Sequence, residues 1–255
     1  MTGPEKGTKT ARFGKQIISL DTVDSTNSFA RSLLESGAGE GSVVVAGEQT
    51  AGRGRQGRVW SAEKGKNLTF SLILKPGLPA ELSGLISLYA SLSVAEAIGS
   101  LTGLTLECKW PNDVLMAGLK VCGILSESSI DRGRVASAIV GIGLNVNQTL
   151  FPPELKSAAT SLQLIAGRPF ELNIVLASLL ERLERRYPDL LDHESGTIPR
   201  EWINHSGTIG RNLTVRTENQ TVSGLATGLA ADGGLLLLAG GIERKISAGD
   251  ISIHP

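Results

Sequence analysis

The sequence predicts an α+β protein, a β-sheet with helices packed against it, followed by a small C-terminal β-barrel. Three observations carry that prediction. Between residues 42 and 146, apolar runs of strand length recur, with few polar residues inside them. Two longer stretches, 82–101 and 172–183, space their apolar residues as helices do. From about Ser206 the texture changes to short β segments separated by turns, over roughly fifty residues, which suits a small barrel.

The 255 residues are 41% hydrophobic, enough for one large core or one core plus a small appended domain. Lys and Arg (25) balance Asp and Glu (25), so no global charge favours nucleic acid or an anionic membrane. No run of 18 or more apolar residues exists, so no transmembrane helix is expected. Residues 1–15 are polar and lack an apolar h-region, so they read as a flexible lead and not a secretory signal. A cytoplasmic location is the default expectation. Cys108 and Cys122 sit in apolar runs with no nearby His and read as small buried hydrophobes.

Taken in order, Ile17 to Leu20 forms a first strand. Asp24-Ser25-Thr26-Asn27 then precedes Phe29, Ala30, Leu33 and Leu34 at helical spacing, with Gly37 as a stop. Ser25, Thr26 or Asn27 suits the N-cap; their hydroxyls and free N–H groups could equally hold a polar ligand group. The strand from Ser42 to Gln49 feeds directly into Gly52-Arg53-Gly54-Arg55-Gln56-Gly57-Arg58-Val59-Trp60, and a strand from Asn67 to Leu74 follows. No Asp or Glu lies between Glu48 and Glu63, so this stretch is a local concentration of positive charge. Glycines let the backbone approach a ligand, and arginine forks match carboxylate and phosphate oxygens. No Gly-Lys-Ser/Thr follows, so it is not a P-loop, and a strand follows where a dinucleotide fingerprint needs a helix. An RNA-binding Arg/Gly tail fits poorly with a single copy embedded between strands.

Lys109-Trp110-Pro111-Asn112-Asp113 closes the strand begun at Leu104. Asn112 and Asp113 could be turn chemistry alone, or Asp113 could help hold a metal–phosphate group. Lys120 opens the apolar run Lys120-Val121-Cys122-Gly123-Ile124-Leu125, where a solvated lysine is the plain reading. Residues 135–146 form a long strand carrying Gly141 and Gly143, where small residues permit close approach. Asn145 follows as a candidate contact to a base or ribose. Phe151-Pro152-Pro153 breaks the chain, Pro199 to Trp202 suits a short linking helix, and Asp232-Gly233-Gly234 marks a turn.

These motifs in this order resemble the biotin–protein ligase family. The GRGRxGRxW pattern from Gly52 to Trp60 and the KWPND pattern from Lys109 to Asp113 are complete, and the likeness runs from about residue 17 to the C-terminus. The resemblance implies a mixed sheet flanked by helices, like that of class II aminoacyl-tRNA synthetases, over residues 16–204. It implies an SH3-like domain over 205–255. It implies that biotin is activated with ATP and Mg²⁺ to biotinyl-5′-AMP, then transferred to a lysine of a biotin carboxyl carrier protein. By the same resemblance, Ser25, Thr26, Asn27, Gln49, Gly52, Arg53, Gly54, Arg55, Lys120 and Gly123 would bind biotin. Arg55, Arg58, Trp60, Asn112, Asp113, Lys120 and Asn145 would bind ATP. Arg55, Lys120 and Asp113 would act in catalysis, with Asp113 the metal ligand. Some family members carry an N-terminal helix-turn-helix; fewer than twenty residues precede the first strand here, so a form without DNA binding is expected. A homodimer is among the expected states. The rival readings are a lipoate–protein ligase of the same fold and a biotin-binding regulator without turnover.

An acyl-adenylate hydrolyses where water reaches it, so the Gly/Arg stretch is expected to act as a lid. Amide hydrogen exchange across Gly52 to Trp60 should slow when biotin is added. Equally fast exchange with and without biotin would defeat the lid.

Overall fold

A computed structural model describes residues 10–217 and 220–253. Its first sheet has seven strands in the order β1-β2-β3-β7-β6-β5-β4. These are β1 (Ile17–Val23), β2 (Val43–Gln49), β3 (Leu68–Leu74), β4 (Leu106–Lys109), β5 (Asp113–Met116), β6 (Leu119–Asp131) and β7 (Arg134–Leu144). β1 and β2 run parallel and every other pair is antiparallel, so the sheet is mixed. All seven residues of β3 are buried, because both faces of the sheet are covered there.

One face carries α2 (Leu85–Thr102), α4 (Leu172–Leu191) and α5 (Thr197–Asn204); the other carries α1 (Thr26–Glu35). α2 is apolar all round because α4 and the sheet enclose it. The stretch Ala80–Thr102 is long and apolar enough to cross a membrane by length and composition, yet it is a core helix here. α4 buries Val175, Leu176, Leu179, Leu180, Leu183, Tyr187 and Leu190, the i, i+3, i+4 stripe its sequence shows. Trp202 on α5 is fully buried and donates from Nε1 to Ser91 Oγ at 2.9 Å. A short α3 (Leu162–Ala166) has no counterpart in the sequence expectation.

The C-terminal module is a five-stranded antiparallel sheet in the order β11-β10-β9-β8-β12, consistent with an SH3-like unit. Its strands are β8 (Asn212–Arg216), β9 (Thr221–Leu229), β10 (Leu235–Ala239), β11 (Ile242–Ile246) and β12 (Asp250–Ile253). The four-residue β12 was not foreseen. Trp110 fastens the module to the first sheet: its backbone N–H donates to Thr208 Oγ1 at 3.0 Å and its indole to Gly233 O at 3.1 Å. Cys108 and His205 add a backbone hydrogen bond at 2.7 Å.

Of the expected lead, residues 10–15 are described by the structure and residues 1–9 lie outside the described residues. The backbone N–H groups of Ala11, Arg12 and Phe13 converge on the Glu184 carboxylate of α4 at 2.7, 2.8 and 2.6 Å. Phe13 is fully buried against Tyr187, with ring centroids 5.2 Å apart. Local sequence cannot show this anchor, because its acceptor lies on a helix far along the chain. Burial works to raise the Glu184 carboxyl pKa, but the three backbone donors prevail and hold it below the usual value. A depressed native pKa means that the anchor's stabilisation is complete above the unfolded carboxyl pKa and is lost as pH falls through the native one. Amide shifts of residues 11–13 should therefore titrate with a midpoint below about 4.3, the ordinary glutamate value. Glu184→Gln should abolish that titration and lower Tm by a few degrees. An ordinary midpoint would show that the carboxylate does not hold the segment.

Candidate active site

The site is built on the middle of the sheet, where β7 lies between β3 and β6. Gly141 and Gly143 face the same way on β7, and Gly123 pairs with Gly143 across β6. A Cβ on Gly141 would stand 2.3 Å from Asn27 Oδ1, and one on Gly143 would stand 2.3 Å from Trp60 Cε2. A Cβ on Gly123 would come 3.1 Å from Trp60 Cζ3. The glycines that suggested close approach of a ligand thus admit two of the protein's own side chains.

Over Gly141 lies a buried polar network. Ser25, Thr26 and Asn27, at the start of α1, are each no more than 3% exposed. Thr26 donates from its backbone N and from Oγ1 to Gln49 Oε1 at 2.8 and 2.9 Å. Ser71 Oγ, on β3 opposite Gly141, lies 2.8 Å from Thr26 Oγ1 and 2.6 Å from Asn27 Oδ1. Asn27 Nδ2 donates to Leu125 O at 3.2 Å and to Glu127 Oε2 at 2.8 Å. Ser25 is the N-cap residue, but its side chain makes no capping bond. Gln49 takes up the Thr26 N–H, and Ser25 lines the cavity.

The Gly/Arg stretch folds into a short lobe. Gly54 N donates to Arg58 O at 2.7 Å and Trp60 N to Gly52 O at 2.9 Å. Gln56 and Gly57 turn the tip with φ of 54° and 73°. Gly52 is required by packing and does not line the cavity, since a Cβ there would meet Trp60 O at 2.4 Å. The Arg53 guanidinium reaches Ser28 Oγ and Glu127 Oε2, both at 3.4 Å. Arg58 pairs with Asp250 on β12, a link from the lobe to the C-terminal module. Trp60 lies flat against Gly143, and its indole N–H is buried without a hydrogen-bond partner.

Between network and indole sits a charged junction. Trp110 to Asn112 form the tight turn between β4 and β5, with Lys109 paired to Asp113 and a cis Trp110–Pro111 peptide. That turn aims Asn112 and Asp113 inward. Arg55 donates from Nη1 to Asn112 Oδ1 at 3.3 Å, and Asn112 Nδ2 donates to Ile124 O at 2.6 Å. Lys120 Nζ stands 2.7 Å from Asp113 Oδ1. The contact is an ion pair by distance but is poorly aligned, so that buried oxygen accepts no proper hydrogen bond. Burial lowers the Arg55 pKa, Asp113 works to raise it, and neighbouring Arg58 lowers it further. A guanidinium stays protonated near neutrality under such influence, so Arg55 is a poorly solvated cation facing a second cation. The junction therefore favours an anion.

A cavity of about 500 Å³ joins these parts. It brings together Ser25, Thr26, Asn27, Gln49, Arg53, Gly54, Arg55, Arg58, Trp60, Asn112, Asp113, Lys120, Gly123 and Asn145. Asn145 is 4% exposed and donates from Nδ2 to Thr160 O at 3.0 Å, so it is held by the loop after β7. Sequence reasoning missed Ser71, Glu127 and Asp250. Ser71 and Glu127 carried a faint signal as polar residues on otherwise apolar strands; Asp250 carried none. Lys109 and Arg216 also line the cavity. Cys108 and Cys122 are fully buried, and burial pushes the Cys108 thiol up to about 12, which makes it inert. Among the described residues, no three His, Cys, Asp or Glu side chains cluster as a metal site.

A mixed sheet thus carries a glycine floor, a polar pocket and a cationic junction around one cavity, and known proteins resemble the chain over most of its length. Residues 19–145 match the Biotin/lipoate A/B protein ligase family, and residues 208–253 match the Biotin protein ligase C terminal domain. The Bifunctional ligase/repressor BirA of Bacillus spizizenii is 39% identical over 97% of this chain and 77% of its own length. The Biotin--[acetyl-CoA-carboxylase] ligase of Mycobacterium tuberculosis is 34% identical over 91% of this chain and 88% of its own. The biotin protein ligase of Aquifex aeolicus, solved with biotin and ATP, superposes with a TM-score of 0.79 at 33% identity, covering 94% of this chain and 99% of that one. The chain belongs to the biotin protein ligase family.

The floor makes a testable demand. Gly143→Ala should push the indole of Trp60 off the sheet, at a cost of about 1–3 kcal/mol in stability. Trp110 and Trp202 are buried elsewhere, so tryptophan emission should shift to the red through Trp60. Unchanged emission would show that Trp60 does not depend on the glycine.

Proposed function

We propose that this protein activates biotin with ATP as biotinyl-5′-AMP, releasing pyrophosphate, and transfers the biotinyl group to a lysine of a biotin carboxyl carrier protein. One observation carries this reading: a single cavity runs from the polar network at Gln49 through the Arg55–Lys120 junction to the Trp60 ledge. Biotin has a ureido group, a carboxylate and an apolar bicycle between them, and its activation needs an adenine site beyond the carboxylate. The relatives named for biotin ligation support the same conclusion.

In this reading Ser25, Thr26, Asn27 and Gln49 hydrogen-bond the ureido and nearby polar groups, with the bicycle over Gly123. Gly52, Arg53 and Gly54 close the lobe over the valeryl chain. The carboxylate meets the α-phosphate between Arg55 and Lys120. Two anions brought together cost about 1 kcal/mol in water and far more in a dry site, and these cations offset that cost. A carboxylate oxygen attacks the α-phosphorus in line as pyrophosphate departs. Arg58 exchanges Asp250 for phosphate oxygens, Asn112 lies near the phosphates, Trp60 packs on adenine, and Asn145 contacts the nucleotide. Mg²⁺ is typically held by one or two carboxylates together with substrate phosphates and water. Asp113, with a buried oxygen that lacks an aligned donor, fits as the protein carboxylate. The ion, when bound, would neutralise phosphate charge. In the second step the carrier lysine amine attacks the anhydride carbonyl, AMP leaves, and Asp113 is positioned to take the amine proton.

Two finer readings accompany this. The balanced charge of the chain supports a ligase that does not bind DNA. β1 has one neighbour in its sheet, and its outer edge could pair with a second copy; light scattering of the protein with and without biotin tests for that dimer.

ATP–pyrophosphate exchange should depend on biotin and not on lipoate, and labelled biotin should pass to a carrier domain. Exchange driven by lipoate, or none with either acid, would overturn the reading. Arg55→Gly should release biotinyl-AMP and label free amines indiscriminately. A variant that stays specific for the carrier would show that Arg55 does not retain the intermediate.

A further inference from the structure

Glu127 lies near the middle of β6, outside the motifs, yet three side chains from α1 and the lobe meet on its carboxylate. Oε2 accepts from Asn27 Nδ2 at 2.8 Å and lies 3.4 Å from Arg53 Nη2 of the lobe. Oε1 lies 3.3 Å from Arg31 Nη2 of α1. The Glu127 side chain is 23% exposed, against 47% for Arg53 and 45% for Arg31, so the acid is the sheltered partner of both pairs. These bonds differ in consequence. The bond from Asn27 is the shorter of two that hold its Nδ2 toward β6, the other going to Leu125 O, while Ser71 Oγ meets its Oδ1. The bond from Arg53 ties the lobe to the first sheet, as Arg58 ties it to Asp250 of the C-terminal module. The pair with Arg31 fastens only α1.

We propose that Glu127 is a positioning residue with two separable tasks: it latches the Gly/Arg lobe over the reaction site through Arg53, and it fixes the amide of Asn27 for ligand recognition. The proposal rests on the ligase reading. Glutamine keeps an acceptor for Asn27 but loses the charge that holds Arg53; alanine loses both. Loss of an ion pair whose arginine is about half exposed should raise lobe opening roughly two- to fivefold.

The test compares three variants of the full-length protein. Glu127→Gln should raise the ratio of excess AMP (beyond the one released per transfer) to carrier biotinylated roughly two- to fivefold, as adenylate escapes to water, with KM for biotin near that of the parent. Glu127→Ala should raise that ratio equally and raise KM for biotin as well. Arg31→Gln, which breaks only the bond to α1, should change neither. Hydrogen exchange of Gly52 to Trp60 without ligand should speed in both Glu127 variants and not in Arg31→Gln. An unchanged AMP ratio in Glu127→Gln, or the same rise in Arg31→Gln, would overturn the latch. The exchange measurement needs no turnover, so it tests the latch even where the parent protein fails to activate biotin, which would overturn the ligase reading separately.

Discussion

The central constraint is the absence of side chains at Gly141 and Gly143 on the strand in the middle of the sheet. Two side chains that shape the site sit directly against those two positions. Asn27 reaches the sheet through one notch, and with it come α1, Gln49 and the polar network. Trp60 lies in the other, and its indole anchors the end of the Gly/Arg lobe. A methyl group at either position would stand 2.3 Å from the atom now resting there. Close-packed interiors do not absorb such overlap, so the helix or the lobe would have to move. The floor is thus a packing solution before it is a binding surface.

The second organising feature is the way positive charge is stored. Three cations of the site each face a carboxylate from another element: Lys120 faces Asp113, Arg53 faces Glu127, and Arg58 faces Asp250. These pairs are partly exposed and contribute little net stability. Their value lies in holding mutually repelling cations within one cavity before an anion arrives. Arg55 differs, as it donates to the neutral Asn112, and burial works against its charge. An anionic ligand would offset the cost of burying Arg55.

The C-terminal module takes part in the site as well as packing beside it. Trp110, within the KWPND turn, is bonded to Thr208 and Gly233, so the turn that aims Asn112 and Asp113 is seated on that module. Asp250 reaches across to the lobe. Separate sequence texture marked this region as a distinct unit, but nothing in that texture showed that it completes a cavity.

Sequence alone determined the strands, the long helices and the residues of the lobe and turn, because periodicity and motif spacing act over a few neighbours. The strand from Leu68 to Leu74 and the apolar stripe from Leu172 to Leu183 were legible on that basis. So were the glycines of β7, although as invitations to some close partner that could not be named. Only the tertiary structure decided which partners they take, that Phe13 is pinned to Glu184, and that Glu127 and Asp250 meet the arginines of the lobe. These contacts join residues that lie tens to hundreds of positions apart. Their existence depends on strand order and register, which fix distances in space that no local pattern encodes.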